Sequence, residues 1–421
     1  MKNLIFLSQR GYPRYDLATN QKNIARCVAI LAEPSAAEFP TELKPFFAEI
    51  YTVPLAEATS GFFAEYILDE AAVCLAVEKE IALAGGAVNV NIVSNDEFNI
   101  VLVGKLRDRY GIPGAGEAQI DLYRNKDLMK QQLAKQAIRI PKHQLLDNTL
   151  SSSQLRDYYQ DLTMTLGKSF VMKPVSGAGS VGTVIIHRED EFLTLYPTLL
   201  ESAMEYEVEE YITGELFHCD SLIQNGNVIY SIASEYLFPN ITYLQGKLLG
   251  SICLLPNTTL SQRIVNLNAE ILQVLGPIDG VTHMELFHTP DDELVFIEIA
   301  ARPGGGEIIP TYTRMLNLNF FALDMRIQAG EVVSIITPSI KEYSFGLRIP
   351  HIPGKVAEFH QPDVKSQYCF DWKIKQGDII ETSLSPIAFA GTLSMTNSNY
   401  AELYADFIKL RNFQPYSVVP V

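Results

Sequence analysis

The stretch Phe170–Glu189, FVMKPVSGAGSVGTVIIHRE, ends an apolar run in a lysine, follows it with a glycine-rich loop, and continues into a second β-branched run. Glycine has no Cβ, so its backbone N–H groups can close around phosphate oxygens, and Lys173 supplies positive charge beside them. That is nucleotide-phosphate chemistry, and the flanks narrow its kind. Gly177, Gly179 and Gly182 fit G-x-G-x-x-G, but a dinucleotide-binding turn opens a helix, whereas Thr183-Val184-Ile185-Ile186 favours a strand. Gly167-Lys168-Ser169 resembles the end of a Walker loop, yet Leu162 stands where its first glycine belongs. The kinase string G-x-G-x-x-G-x-V is matched without the H-R-D and D-F-G elements a kinase needs. A strand–flap–strand hairpin with lysine on the incoming strand remains, with an ordinary glycine-rich turn as the alternative.

The stretch Gly280–Glu307, GVTHMELFHTPDDELVFIEIAARPGGGE, has the pattern of a second hairpin, turning at Thr289–Asp292. His283, Glu285 and Phe287 share one face of its first strand. Glu298, Ala300 and Arg302 share a face of the second if that strand runs so far, with Val295, Ile297 and Ile299 on the core side. Carboxylates on neighbouring strands can aim at one point, and beside a phosphate loop their hard oxygens suit Mg²⁺. Arg302 offers a planar donor fork for a phosphoryl group or an oxyanion. Surface ion pairs on a solvated hairpin are the alternative. Against it, Arg302 is followed by Pro303 and by Gly304, Gly305 and Gly306, whose backbone freedom suits close approach to a ligand. His283 is placed behind the metal ligands, a hydrogen-bonded core histidine being the other reading.

These residues need elements to hold them. Residues 1–95 suggest alternating strands and helices: strands at Leu4–Leu7, Val28–Leu31 and Ile50–Val53, a long helix over Phe62–Ala84, and period-2 alternation through Val88, Val90 and Ile92. That order predicts a small open α/β sheet. Ser94 or Asn95 is expected to cap a helix over Asp96–Tyr110, with Glu97 in its acidic first turn. Further helices are predicted near Lys126–Ala137, from Ser151–Ser153, near Glu189–Ser202, over Ser261–Leu275 and over Tyr400–Lys409. Phe217–Ile223 and Val228–Ala233 should pair around Asn225-Gly226, a hairpin turn signal.

Composition excludes several classes. The 421 residues, 47% hydrophobic and 19% charged, describe a globular chain of two to four domains. A net charge of −16 argues against nucleic acid or an acidic membrane surface as a partner. No apolar run reaches the roughly 20 residues of a membrane span, and MKNLIFLSQRG has the pattern of a strand rather than a signal peptide. Cys27, Cys74, Cys219, Cys253 and Cys369 are scattered, which suits free thiols in a reducing cytoplasm. There is no H-E-x-x-H, and Ser180 lacks the strand-to-helix turn of a nucleophile elbow, so neither a zinc protease nor a hydrolase triad is expected.

A lysine ahead of a glycine flap, the acidic string Glu209-Glu210-Tyr211-Ile212 with Glu215 beyond it, and paired glutamates ending in arginine, in this order, resemble the ATP-grasp superfamily. The string Glu298-Ile299-Ala300-Ala301-Arg302 and the stretch from Ser344, SFGLRIPHIPGKVAEF, resemble its L-amino-acid ligase branch. The resemblance covers nearly the whole chain. It implies an α/β and α+β fold: an N-terminal open α/β domain (1–120), a small lobe carrying the flap (121–205), a large lobe with hinge and metal site (206–340), and a small β-rich C-terminal domain (341–421).

The same resemblance implies roles. Lys126 and Lys173 would contact ATP phosphates, although Lys126 could also be a solvated first-turn residue. Ser176, Gly177, Gly179, Ser180, Val181 and Gly182 belong to the flap. Glu209, Glu210, Tyr211 and Ile212 would form the adenine hinge, and Glu215 would hold ribose hydroxyls. Glu285 and Glu298 would bind Mg²⁺, with Mn²⁺ an open substitute, and Arg302 would act at the reacting centre. Many members carry Asn where this chain has Ala300, which removes one metal-binding oxygen. Substrates would meet Glu235, His283, Gly305 and Gly306, with Glu235 and His283 as guesses for the amine's base. The activity implied is ligation of a small-molecule carboxylate to an amine, most simply two amino acids, with a homodimer left open. A ligase or carboxylase of nucleotide or carboxyl metabolism, and a nucleotide-binding scaffold without turnover, are the alternatives.

Overall fold

The computed structural model describes residues 1–9, 24–57, 66–201, 204–336, 340–381 and 388–420. The N-terminal part is a parallel sheet in the order Glu49–Val53, Ile24–Ala32, Lys2–Ser8, Val90–Val93. Ile5, Leu7, Val28 and Ile30 pack on one face against the helices Glu70–Ala84 and Ile100–Tyr110. Leu4, Phe6, Ala29 and Leu31 pack on the other with Phe39, Phe47 and Met325. A parallel sheet covered on both faces takes continuous apolar runs, so the alternation expected from Val88 does not describe a half-exposed strand. Ala87–Asn89 is a 3₁₀ turn, and all four residues of Val90–Val93 are buried.

Two predicted helices start later than expected. Tyr66–Leu68 is a short strand, and the helix begins at Glu70, where the Asp69 carboxylate accepts from the Ala72 N–H at 2.8 Å; Phe62 lies outside the described residues. The second begins at Ile100 rather than Asp96. Asp96 folds the preceding turn, its carboxylate accepting from the Gln9 N–H (2.8 Å), the Phe98 N–H (3.3 Å) and Asn99 Nδ2 (3.1 Å). Glu97 therefore stands on a turn between strand and helix, not in a helical first turn.

The small antiparallel sheet runs His143–Leu145, Tyr206–Glu210, Phe170–Pro174, Val184–Ile186. Its back carries the helices Leu155–Leu166 and Glu189–Glu201, packed through Leu162, Phe192 and Tyr196 onto Phe170, Met172 and Val208. The helix Lys126–Leu133 starts where Asn125 Oδ1 accepts from the Leu128 N–H at 3.0 Å. Lysine strand, glycine loop and returning strand form the hairpin the sequence predicts.

A larger sheet of eight antiparallel strands runs Leu294–Ala300, Gly280–His288, Glu215–Gln224, Asn227–Tyr236, Leu249–Cys253, Tyr343–Ile349, Gly391–Asn397, Gln367–Trp372. Asn225 and Gly226 both take positive φ (51° and 71°), as a two-residue turn matched to strand twist requires. The helix Thr259–Leu275 covers one face through Ile264, Ile271 and Leu272. Ile308–Leu316 and Phe320–Gln328 cover the other through Ile309, Tyr312 and Phe320.

The Gly280–Ala300 hairpin departs from the expected pattern at one point. Pairing steps from Glu285↔Glu298 to Leu286↔Phe296, leaving Ile297 as a bulge. Phe296 and Ile299 enter the core while Ile297 lines the cleft beside Glu298, so the expected run Val295, Ile297, Ile299 is not a single core face. Arg302 follows the strand's end at Ala300.

Candidate nucleotide and metal site

Between the two antiparallel sheets lies a cavity of about 420 Å³. Lys126, Lys173, the flap residues Gly177, Gly179, Ser180 and Val181, the hinge Glu209–Ile212, and Glu285 and Glu298 all line it, with Phe287 and Ile297 adding apolar surface. Ser176 and Gly182 do not. Gly182 takes φ 73°, and a Cβ there would lie 2.9 Å from the Pro174 ring and from the Tyr206 hydroxyl, so it serves the flap's folding rather than its inner face. Ser180 also adopts positive φ (60°), unusual for a residue with a side chain.

The cations and carboxylates are interlocked. Lys173 Nζ lies 2.6 Å from Glu209 and 3.6 Å from Glu207, while fully buried Lys130 reaches Glu207 and Glu209 at 2.5 Å each. Two lysines and two glutamates thus balance one another in the small lobe's interior. Burial works against the Glu209 charge, and Lys130 and Lys173 outweigh it, holding the carboxyl below its ordinary range. Each Glu209 oxygen thus faces one ammonium, Oε1 that of Lys173 and Oε2 that of Lys130. Glu210 is likewise held, by Arg139 Nη2 at 3.0 Å and by the Lys142 N–H at 3.1 Å. Tyr211 and Ile212 line the cavity beside them.

Glu285 and Glu298 face one another across the bulged pair. Enclosure disfavours the Glu298 charge, but Lys126 at 3.2 Å and the Lys173 ammonium prevail and bring its pKa down to about 2. Glu285 Oε1 accepts from Tyr236 Oη (2.8 Å) and Asn240 Nδ2 (2.8 Å) and meets His283 Nε2 at 3.3 Å. Behind them Asp220 takes Nδ1 of His218 (2.7 Å), Nδ1 of His283 (2.9 Å) and the Tyr312 hydroxyl (2.6 Å). Burial opposes an imidazolium at His283, yet Asp220 and Glu285 lift its pKa to about 10; His218, where burial dominates, is pushed down. His283 thus stands behind Glu285 and lines neither the cavity nor the crevice beside it. Gly304 closes over this pair: a Cβ there would lie 3.0 Å from His283 Nδ1 and 3.1 Å from Asp220 Oδ1.

Four expectations need correction. Glu215 does not line the cavity; it pairs with Arg411 at 2.8 Å, because Gly214 and Leu216 take the cavity side of that strand. Glu235 points away from the site. It pairs with Phe217, a residue of the opposite core face, and is held by Tyr404 Oη at 2.7 Å and by Arg411 at 3.4 Å. Its neighbour Tyr236 has the parity that reaches Glu285. Gly305 and Gly306 line neither the large cavity nor the crevice beside it, and a Cβ on either would meet nothing within 4 Å.

A narrow crevice next to the cavity holds Arg302, Arg124, Lys126 and Glu97. Arg302 Nε contacts the Glu97 carboxylate, and Arg124 Nη1 stands 3.5 Å from it. The flap reaches here as well: the Gly177 carbonyl accepts from Lys126 Nζ (2.7 Å) and Arg124 Nη1 (3.1 Å). Sequence reasoning missed Glu97, Arg124 and Lys130. None sits in a local motif, and each is assigned only by pairing register or by contact between distant segments.

Residues 166–311 match the ATP-grasp domain family. Over 275 residues the chain is 29% identical to the L-arginine-specific L-amino acid ligase of Bacillus subtilis, covering 64% of this chain and 65% of that protein. A D-alanine–D-alanine ligase of Bacillus anthracis is 28% identical over 150 residues, 35% of this chain and 47% of the relative. The chain thus spans less than two thirds of the length of these curated relatives. In three dimensions it matches the L-amino acid ligase of Bacillus licheniformis with a TM-score of 0.70 at 17% identity, over 100% of this chain and 99% of the other. The carboxyaminoimidazole ribonucleotide synthase of Aspergillus clavatus matches at a TM-score of 0.67 and 15% identity, over 98% of each chain. No helix among the described residues is long and apolar enough to cross a membrane. The chain therefore carries an ATP-grasp domain, within a fold shared end to end with an L-amino acid ligase.

Proposed function

We propose that the protein is an ATP-dependent carboxylate–amine ligase that joins two amino acids, or an amino acid and another amine, through an acylphosphate. The convergence of Lys126, Lys173, the Glu285/Glu298 pair and Arg302 on one cleft under a glycine flap carries this reading. The similarity to amino-acid ligases supports it. On the same reading the functional units are residues 1–120, 121–205, 206–340 and 341–421, although the large sheet continues across residue 340.

A carboxylate resists amine attack because oxide is a poor leaving group. An oxygen of the donor carboxylate attacks the γ-phosphorus, the bond to the β,γ-bridging oxygen breaks, and ADP departs. The amine then attacks the acyl carbon, loses a proton, and phosphate leaves. In this scheme Lys126 and Lys173 turn from Glu298 and Glu209 toward phosphate oxygens, and Arg302 faces the oxyanion. The flap closes the centre to water, which would otherwise hydrolyse the acylphosphate. Glu285 and Glu298 fit Mg²⁺ by donor type: paired oxygen ligands, one ionised far below neutrality, the other oriented by three hydrogen-bonding groups on a single oxygen. Bound there, the ion would neutralise charge on the transferring phosphoryl group.

The test is ADP and phosphate release from MgATP across single and paired L-amino acids, with products weighed by mass spectrometry. Phosphate release that needs both partners and yields a new amide mass is expected. Release only with bicarbonate or a nucleotide amine would replace this reading with a carboxylase. In the active pair, Arg302→Ala should lower kcat by about 10²–10³. A change confined to thermal stability would remove Arg302 from the reacting centre.

A further inference from the structure

The hairpin that carries Glu285 and Glu298 has no third side-chain oxygen to give. Its residues along the cavity and the crevice are Glu285, Phe287, Ile297, Glu298, Ile299 and Ala300, and only the two glutamates bear one. Ala300 follows Glu298 on the same strand face and offers a methyl group. Another oxygen comes from the segment after the strand Asn227–Tyr236. Asn240 lines the cavity at the start of the 3₁₀ turn Asn240–Gln245. Its Nδ2 donates to Glu285 Oε1 at 2.8 Å, while its Oδ1 is enclosed and accepts from no group among the described residues. Other enclosed side-chain atoms without a partner there, such as Asn268 Oδ1 and Thr282 Oγ1, belong to residues that line neither the cavity nor the crevice. The turn itself is well tied. The Thr242 N–H and hydroxyl both donate to the Pro239 carbonyl, at 3.0 and 2.8 Å, and the Tyr243 hydroxyl donates to the Ala388 carbonyl at 3.0 Å. A carbonyl oxygen held this firmly, shielded from water and given no donor, costs the fold stability.

We propose that Asn240 Oδ1 is a ligand of the cation held by Glu285 and Glu298, a third protein oxygen supplied from outside their hairpin; this rests on the ligase reading above. The two ends of the carboxamide divide the work. Nδ2 meets Glu285 Oε1, the oxygen that Tyr236 and His283 also hold, so the donors crowd one oxygen and leave Oε2 to a cation. A hydrogen bond given by the amide nitrogen draws electron density onto its oxygen, which makes Oδ1 a better donor to a metal. Amide oxygen is hard, of the kind Mg²⁺ and Mn²⁺ take. It is also neutral. The site already sets two carboxylates among Lys126, Lys173 and Arg302, and it must admit phosphate oxygens as well. A third anionic ligand would repel the nucleotide, whereas an amide adds an oxygen and no charge. An acceptor that serves a cation needs no N–H or O–H aimed at it, which is the arrangement found at Oδ1.

Mn²⁺ takes the same oxygen ligands and is paramagnetic, so it reads the site without turnover. The full chain is prepared with asparagine carrying ¹³C at its side-chain carbonyl and loaded with Mn²⁺ and the β,γ-imido analogue of ATP. Electron–nuclear double resonance should show a ¹³C coupling in wild type that Asn240→Ala abolishes. Titration of the free Mn²⁺ resonance should give an affinity about 10- to 100-fold weaker in that variant. Asn240→Asp keeps an oxygen at the ligand position but cannot donate to Glu285, so it should bind Mn²⁺ about tenfold more tightly than Asn240→Ala. A residue that only orients Glu285 would give no ¹³C coupling and equal losses in the two variants. Either result overturns the inference, and the ligase stands if Glu298→Gln still weakens Mn²⁺ binding. Unchanged Mn²⁺ affinity in Glu298→Gln removes the metal site and the inference with it. Should Asn240→Ala not fold, the wild-type spectrum decides, since a missing ¹³C coupling there overturns the assignment by itself.

Discussion

Glu298→Gln is expected to lower Mg²⁺-dependent phosphate release by roughly a thousandfold or more, with little change in the unfolding midpoint. The carboxamide has the shape of the carboxylate but not its charge, and that charge is unusually secure, its pKa brought to about 2 by Lys126 and Lys173. Such a group is fully ionised at any pH where the enzyme works, so it offers a cation a permanent negative oxygen. Glutamine also releases Lys126 from its 3.2 Å contact, while the ammonium keeps the Gly177 carbonyl at 2.7 Å, so the lobe should hold its structure. Excess Mg²⁺ or Mn²⁺ should recover part of the activity if the loss lies in ion affinity. Wild-type turnover in the variant would remove Glu298 from the metal site.

The second large effect is on stability. Lys130→Met should destabilise the protein by about 3–5 kcal/mol, because it leaves Glu207 and Glu209 in the interior with Lys173 as the remaining cation at their oxygens. Both carboxylates now lie 2.5 Å from the Lys130 ammonium, and the lysine is fully enclosed. Methionine fills the same volume, so the loss reports charge rather than a void. Combining it with Glu207→Gln should restore part of the stability by removing one unpaired charge, a coupling that thermal melts of the two single variants and the double variant would measure. A single-variant change below about 0.5 kcal/mol would show that the cluster tolerates an uncompensated carboxylate.

What was legible in the chain was whatever its local chemistry dictates. The lysine–glycine hairpin, the Asn225-Gly226 turn and the carboxylates at Glu285 and Glu298 follow from residue types at short spacing, and the structure has each as a hairpin, a turn and a facing pair. What failed depends on register or on contacts between distant segments. Glu235 and Tyr236 differ by one position, and only the pairing Phe217↔Glu235 says which of them faces Glu285. The bulge at Ile297 shifts the face of one residue with no glycine to mark it. Glu215 looked like a ribose ligand by its distance from the hinge, yet its partner Arg411 lies 196 positions away. Glu97 read as a helix-start carboxylate, and its contact with Arg302 spans 205 positions.

The eight-stranded sheet carries a consequence for how the protein can be divided. Three of its strands, Tyr343–Ile349, Gly391–Asn397 and Gln367–Trp372, come from beyond residue 340, and the first is hydrogen-bonded directly to Leu249–Cys253. Removing the C-terminal 81 residues would strip Leu249–Cys253 of that neighbour and bare a row of unpaired N–H and C=O groups beside the core residues Ile252 and Leu248. A bare edge of this kind recruits other chains. The lobe that carries both glutamates would then be prone to strand exchange between copies and to aggregation, and the two segments should exchange their amide protons as one cooperative unit.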